Sequence, residues 1–231
     1  MMINGTQTYQ TDYQVPISEA PGRVSALLMR PENARMLLVL GHGAGAGILH
    51  PFMVEICEAL ANIEIATFRY QFPYMEQGRR RPNPRPVLAE TSLAAVETAA
   101  KEVPDLPLFA GGKSMGGRMT SLAAANEPLP HVKGIVFFGF PLHPAGKLGT
   151  NRADHLTEIT VPMLFLQGTR DSLANLSYLE PVCDQLGWKA KLHVIDTADH
   201  SFQVLKRTGK TQDEVMRELA TTVAYWAAPL I

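Results

Sequence analysis

The sequence alternates short, continuous apolar runs with longer segments of helical spacing, and this alternation is its strongest constraint on the fold. An uninterrupted apolar run is typical of a strand that helices cover on both faces of a parallel sheet. The predicted central strands are 36–40, 63–68, 106–111, 132–140, 162–168 and 191–195. The predicted helices are 50–61, 88–103, 115–126, 174–186 and 212–227.

Residues 7–29 predict two antiparallel strands joined near Ala20-Pro21-Gly22, because Pro-Gly is a turn signal. The sequence therefore predicts an α/β fold, with a mostly parallel sheet, helices on both faces and an antiparallel N-terminal hairpin. In such sheets, ligands bind beyond the carboxyl ends of the strands. We expect the functional residues in the loops at that edge, which we call the functional edge.

Composition narrows the class of protein. A chain of 231 residues with 46% hydrophobic residues has enough apolar surface for a packed core, and we expect one domain over 1–231. A net charge of -1 argues against a general nucleic-acid binder. The two cysteines, Cys57 and Cys183, lie in helical patterns and predict packing residues rather than a disulfide framework.

No apolar run approaches the roughly 18 residues of a transmembrane helix, so no membrane partner is expected. The first residues have neither a basic start nor an apolar core, which disfavours a signal peptide and predicts a cytoplasmic protein. The histidines show no metal-ligand spacing, and we expect no metal and no cofactor. The oligomeric state is left open.

The best candidate for a nucleophile is Ser114, in Gly112-Lys113-Ser114-Met115-Gly116 between a predicted strand and a predicted helix. A G-x-S-x-G turn of this kind holds serine on a sharp, strained bend, with the next backbone N–H, here that of Met115, facing a developing oxyanion. Gly-Lys-Ser also resembles the end of a phosphate-binding loop. That motif requires glycine where this chain has Pro107, so we reject it.

A nucleophilic serine needs a base, and the base needs an acidic partner, in the chain order Ser, Asp or Glu, His. Asp171 follows the strand predicted at 162–168, and His200 follows the strand predicted at 191–195. Asp196 and Asp199 are alternatives for the acid, but their closeness to His200 in sequence makes the required reach from a separate strand less favourable.

The loop Gly41-His42-Gly43-Ala44-Gly45-Ala46-Gly47 follows the first central strand, and we place the second oxyanion N–H at Ala44. Gly41, Gly43 and Ala46 also satisfy the dinucleotide fingerprint, which leaves an NADP-dependent oxidoreductase as a minor alternative. In that alternative Arg69, near the end of the next strand, would bind the 2′-phosphate.

Residues 71–87 contain four prolines and four arginines, and we predict no regular structure there. This segment and a second irregular one, 141–158, lie at the functional edge. The first is either a solvated loop or a partial lid whose arginines attract an anionic substrate. Candidate substrate-binding residues are His50, Tyr74, Arg79, Arg80, Leu142 and His143.

These motifs resemble the α/β-hydrolase superfamily, in particular a small branch similar to dienelactone hydrolases and to the hydrolase-like domains of testis-expressed and chromatin-complex subunit proteins. The matching strings span 41–202 and are GHGAGAG, FPYMEQGRRRPNP, GGKSMGGRM, GFPLHPAGK, LFLQGTRD and ADHSF. The resemblance implies Ser114 as nucleophile, His200 as base, Asp171 as its orienter, and Met115 and Ala44 as oxyanion donors.

Dienelactone hydrolases use a cysteine nucleophile, so their substrate does not transfer to a chain with Ser114. The short connection between Phe140 and Pro162 leaves no room for a large cap domain. We expect a serine hydrolase of a carboxylic ester or related acyl compound, with a small-molecule acyl substrate. The alternative is a non-catalytic interaction module, since the branch includes subunits of larger complexes and one fold serves many functions.

Overall fold

The computed structural model describes residues 1–3 and 6–231. Within these residues the strands are Met2–Ile3 (β1), Thr6–Pro16 (β2), Arg23–Pro31 (β3), Met36–Gly41 (β4), Ile65–Tyr70 (β5), Leu108–Lys113 (β6), Val132–Phe138 (β7), Met163–Gly168 (β8) and Ala190–Ile195 (β9). The α-helices are Pro51–Ala61 (α1), Pro73–Glu76 (α2), Arg85–Glu102 (α3), Met115–Asn126 (α4), Leu176–Leu186 (α5) and Gln212–Ala227 (α6).

The strands form one sheet in the order β1-β2-β3-β5-β4-β6-β7-β8-β9. The pairs β1–β2, β2–β3 and β3–β5 are antiparallel, and the pairs from β5 through β4 to β9 are parallel. This confirms the predicted mostly parallel sheet with an antiparallel N-terminal hairpin. Because the six parallel strands run in one direction, their carboxyl ends share the functional edge.

Helices cover both faces of the sheet, which is why the central strands consist mainly of apolar residues. Alternate residues of β4 enter different cores: Leu37 and Val39 pack on the side of α3 and α4, and Leu38 and Leu40 on the side of α1 and α6. All six residues of β4 are buried. The two cores hold the sheet rigid beneath the loops at its functional edge.

Two segments predicted to be irregular contain short helices. Residues 71–87 include α2, and α3 begins at Arg85 rather than at 88, with Pro86 in its first turn, where the missing N–H has no helical acceptor in any case. Residues 141–158 end in a 3-10 helix, Asp154–Glu158. No large cap domain interrupts the connection from β7 to β8, as expected.

Across the described chain, we find no helix with both the length and the hydropathy needed to span a bilayer. Cys57 and Cys183 are buried and not disulfide-bonded, as predicted for packing residues.

Candidate active site

Ser114 is the single residue between β6 and α4, and its backbone is strained. Its φ of 51° and ψ of -114° lie in a region that side chains rarely adopt. The flanking glycines permit this turn because other backbone lies against them. A Cβ on Gly116 would stand 2.1 Å from the carbonyl oxygen of Gly41, and one on Gly112 would stand 2.3 Å from the same atom. The two glycines of the motif are therefore required by packing.

A chain of hydrogen bonds links Ser114, His200 and Asp171. His200 Nδ1 lies 2.7 Å from Asp171 Oδ2, and His200 Nε2 lies 2.8 Å from Ser114 Oγ. Because the carboxylate only accepts, Nδ1 carries the hydrogen, which leaves Nε2 free to accept the proton of the hydroxyl. The structure thus brings together three groups that are 86 and 29 residues apart in sequence.

Asp171 is held by groups that the sequence analysis did not single out. Its side chain is 1% exposed. Oδ1 accepts from the N–H of Leu173 at 2.8 Å, and Oδ2 accepts from Gln167 Nε2. Gln167 is itself buried at the end of β8, and its Oε1 accepts from the N–H of Phe140 at 3.0 Å. Its signal in the sequence is a polar residue inside the apolar run LFLQG.

The alternative acids, Asp196 and Asp199, have no hydrogen bond to the His200 ring among the described residues. Asp199 Oδ1 accepts from the N–H groups of Ser201 and Gln203, and Asp196 Oδ1 accepts from the N–H of Thr197. Each carboxylate therefore stabilises the turn that carries His200, while Asp171 reaches the ring from β8. This division agrees with the sequence preference for Asp171.

Lys113 is a second residue that the sequence analysis left without a role. Its Nζ donates to the backbone oxygen of His200, 5.4 Å from the ring centre of Phe52 and 5.3 Å from that of Phe202. Burial lowers the pKa of this ammonium to about 8, against the opposing attraction of Asp171. The side chain ties the His200 loop to the strand that ends at Ser114.

The loop after β4 lies against the serine. A Cβ on Gly43 would be 3.9 Å from Ser114 Cβ. The next N–H groups of the loop are used internally, that of Gly45 by Tyr74 Oη at 2.8 Å and that of Ala46 by the oxygen of Gly43 at 3.2 Å. Within the described residues, no acceptor takes the N–H of Ala44.

Met115 is the first residue of α4, where an N–H has no intrahelical acceptor. Like the N–H of Ala44, the N–H of Met115 has no hydrogen-bond acceptor among the described residues.

His42 has a structural role in this loop. Its Nδ1 donates to the oxygen of Gly43 at 2.7 Å, and its Nε2 accepts from the N–H of Phe72 at 3.1 Å. Burial lowers its pKa to about 4, so the ring is neutral near pH 7. The neutral ring joins the glycine loop to the segment that follows β5.

Three of the candidate substrate-binding residues are interior or structural. Leu142 is fully buried, which excludes direct contact with a substrate in this conformation. His143 is 3% exposed, with Nδ1 donating to Pro144 and Nε2 accepting from Asn175. Tyr74 is buried and bonds to the glycine loop. In the structure these three side chains shape the surrounding loops from within.

The remaining candidates are on the surface. His50 is exposed and caps α1, with Nδ1 accepting from the N–H of Phe52 at 3.3 Å. Arg79 and Arg80 are exposed in the segment between α2 and α3.

In the structure, the arginine that the NADP alternative requires for binding the 2′-phosphate is not accessible. Arg69 is 3% exposed, and its Nη1 donates to the backbone oxygen of Met53 in α1. A guanidinium held in the interior does not reach a 2′-phosphate beyond the strand ends.

Residues 34–228 match the model of the alpha/beta hydrolase domain, and the chain belongs to that family. Curated relatives include putative phosphoribosyl transferases from two strains of Mycobacterium tuberculosis, each 27% identical over 196 residues. The match covers 83% of this chain and 42% of each relative, so the chain spans less than half the length of these relatives.

Solved structures share the fold along nearly the whole chain. The dienelactone hydrolase of Anabaena variabilis is 21% identical with a TM-score of 0.76, covering 98% of this chain and 99% of the other. A serine hydrolase without a lid from Xanthomonas campestris is 16% identical with a TM-score of 0.72, covering 94% of each chain. At these identities the likeness concerns the fold, including the absence of a large cap.

Proposed function

We propose that this protein is a serine hydrolase that cleaves a carboxylic ester or a related acyl compound. The observation that carries the proposal is the chain of hydrogen bonds from Ser114 Oγ through the His200 ring to Asp171, with the serine on a strained turn. Its family membership supports the same conclusion.

In the proposed reaction, Ser114 Oγ attacks the acyl carbon while His200 Nε2 takes the hydroxyl proton. The carbonyl oxygen becomes an oxyanion between the N–H groups of Met115 and Ala44, each worth about 3–4 kcal/mol by analogy with other hydrolases. His200 then protonates the leaving group. Asp171 keeps the ring in the required tautomer and stabilises the imidazolium.

Water completes the cycle. It attacks the acyl-serine ester while His200 removes its proton, and the acid product leaves with Ser114 regenerated. Lys113 and Gln167 are positioning residues in this scheme, because one holds the backbone of His200 and the other holds the carboxylate of Asp171.

The test is labelling by a fluorophosphonate, in which the serine oxygen bonds to phosphorus and fluoride leaves. We expect the wild type to be labelled and Ser114→Ala to be unlabelled. The matched control is Ser121→Ala, because Ser121 lies on the same helix but bonds to His155 rather than to the proposed base.

Absence of labelling in a folded wild type, or equal labelling of Ser114→Ala, would refute the proposal and favour the interaction-module alternative. The match to the mycobacterial relatives covers 42% of their length, so the transferase activity in their names does not extend to this chain.

A further inference from the structure

Three arginines that form no ion pair within the described residues lie on α4, which begins next to Ser114, and on two segments beside it: the start of α3 and the stretch that leads into the 3-10 helix Asp154–Glu158. Arg118 lies in the first turn of α4, and its backbone N–H donates to the oxygen of Ser114 at 3.1 Å. Because helical side chains lean toward the N-terminus, its long side chain extends toward the functional edge. Arg118 Nε is buried and has no hydrogen-bond partner within the described residues.

Arg152 reaches the same region from the connection between β7 and β8. Its Nη1 lies 3.4 Å from the backbone oxygen of Pro141, in the loop that follows β7. That loop begins beside Ser114, because the N–H of Ser114 donates to the backbone oxygen of Phe138 at the end of β7. A hydrogen bond of 2.8 Å between His155 Nε2 and Ser121 Oγ fixes this connection against α4.

Arg85 is the third member and the first residue of α3. That helix starts at the functional edge because it returns the chain from β5 to the start of β6. We call Arg85, Arg118 and Arg152 the arginine cluster.

The electrostatics show that the cluster is not compensated by acidic residues. Burial and the charges of Arg85 and Arg152 lower the pKa of Arg118 to about 10, and burial together with the charge of Arg85 lowers the pKa of Arg152. Burial and the charge of Arg118 lower the pKa of His155 to about 4. None of the three arginines forms an ion pair with a carboxylate in the part of the chain that the structure describes.

We propose that the arginine cluster binds an anionic group, a carboxylate or a phosphate, on the substrate that Ser114 attacks. This inference rests on the proposed function and assigns its substrate class. A guanidinium forms paired, charge-assisted hydrogen bonds with both anions, and bringing three like charges together is unfavourable unless an anion offsets them. The exposed Arg79 and Arg80, which the sequence singled out, are not required for this role.

The test compares esters that differ only in the anion. Monomethyl adipate is matched with methyl hexanoate, which has a methyl group in place of the carboxylate. 1-Butyrylglycerol 3-phosphate is matched with 1-butyrylglycerol, which tests a phosphate on the alcohol side. We expect kcat/KM for at least one anionic ester to exceed that of its neutral partner tenfold or more, and the successful pair identifies the anion.

Substitutions in the arginine cluster then test whether these arginines cause the preference for the anionic ester. Arg118→Met and Arg152→Met should bring the ratio of anionic to neutral kcat/KM close to one, and Arg118→Lys should restore part of it. Arg217→Met is the matched control, because Arg217 is exposed on α6, which packs on the opposite face of the sheet from α4. Circular dichroism melting curves verify that each variant is folded.

A ratio near one for both pairs in the wild type would overturn the assignment, as would a preference that survives both methionine variants. If neither member of any pair is hydrolysed, the proposed function fails by itself. Binding then decides the cluster separately: in the Ser114→Ala background, calorimetric titration with each anionic ester should show binding that Arg118→Met abolishes.

Discussion

The strained backbone of Ser114 predicts an inversion of the usual order of stability between alanine and glycine. At an ordinary helical position, glycine is less stable than alanine by about 0.5–1 kcal/mol, because it loses more freedom on folding. At Ser114, alanine retains the Cβ that conflicts with a φ of 51° and a ψ of -114°, whereas glycine removes it.

The magnitude follows from two opposing terms. Such a backbone costs about 1–3 kcal/mol when a side chain is present. Subtracting about 0.5–1 kcal/mol for glycine leaves Ser114→Gly more stable than Ser114→Ala by about 1 kcal/mol. Both variants lose the hydrogen bond to His200, so this loss cancels in the comparison. For a chain of 231 residues, this difference corresponds to a Tm that is about 2–4 °C higher for Ser114→Gly than for Ser114→Ala.

Urea unfolding followed by fluorescence, together with calorimetric Tm values, measures the difference. Ala94→Gly in the interior of α3 is the sign control and should be destabilising by about 0.5–1 kcal/mol. If Ser114→Ala proves equal to or more stable than Ser114→Gly, while the control behaves normally, the turn stores no strain and the reasoning is wrong.

Three further predictions concern the site and its charges. Asp171→Asn should lower kcat for an activated ester by about 10³–10⁴-fold with the fold intact, because the His200 tautomer is lost; a decrease below tenfold would contradict the proposed role. Folding lowers the pKa of Lys113, so the free energy of unfolding of the wild type should rise relative to that of Lys113→Met between about pH 8 and 10. Urea unfolding at each pH measures this, and a difference between the two proteins that stays constant with pH would refute it. The folded protein should become less stable as the pH falls from 6.5, the ordinary pKa of histidine, toward about 4, the pKa of His155 in the folded state, because the unfolded chain binds the proton more readily. His155→Gln should therefore show a smaller acid-induced decrease in Tm than the wild type.

Much of the fold was predictable from local patterns. The predicted helices 115–126 and 212–227 coincide with α4 and α6, because their start and stop signals are local: Thr211 caps α6 in a capping box, and Pro128 follows α4. The structure differs from the prediction at 71–87, where we expected no regular structure in a segment rich in proline and arginine. Pro73 and Pro86 instead occupy first turns, where proline is tolerated.

The sequence by itself predicted the main strands and helices in their order and favoured the three residues of the hydrogen-bonded chain, because apolar runs, a glycine-flanked serine and polar residues at strand ends are local signals. Only the tertiary structure decided the roles of Gln167 and Lys113 and the convergence of the arginine cluster. These depend on distances between segments that are far apart in the chain. The same packing placed Leu142 and His143 inside, because burial is a property of the assembled loops.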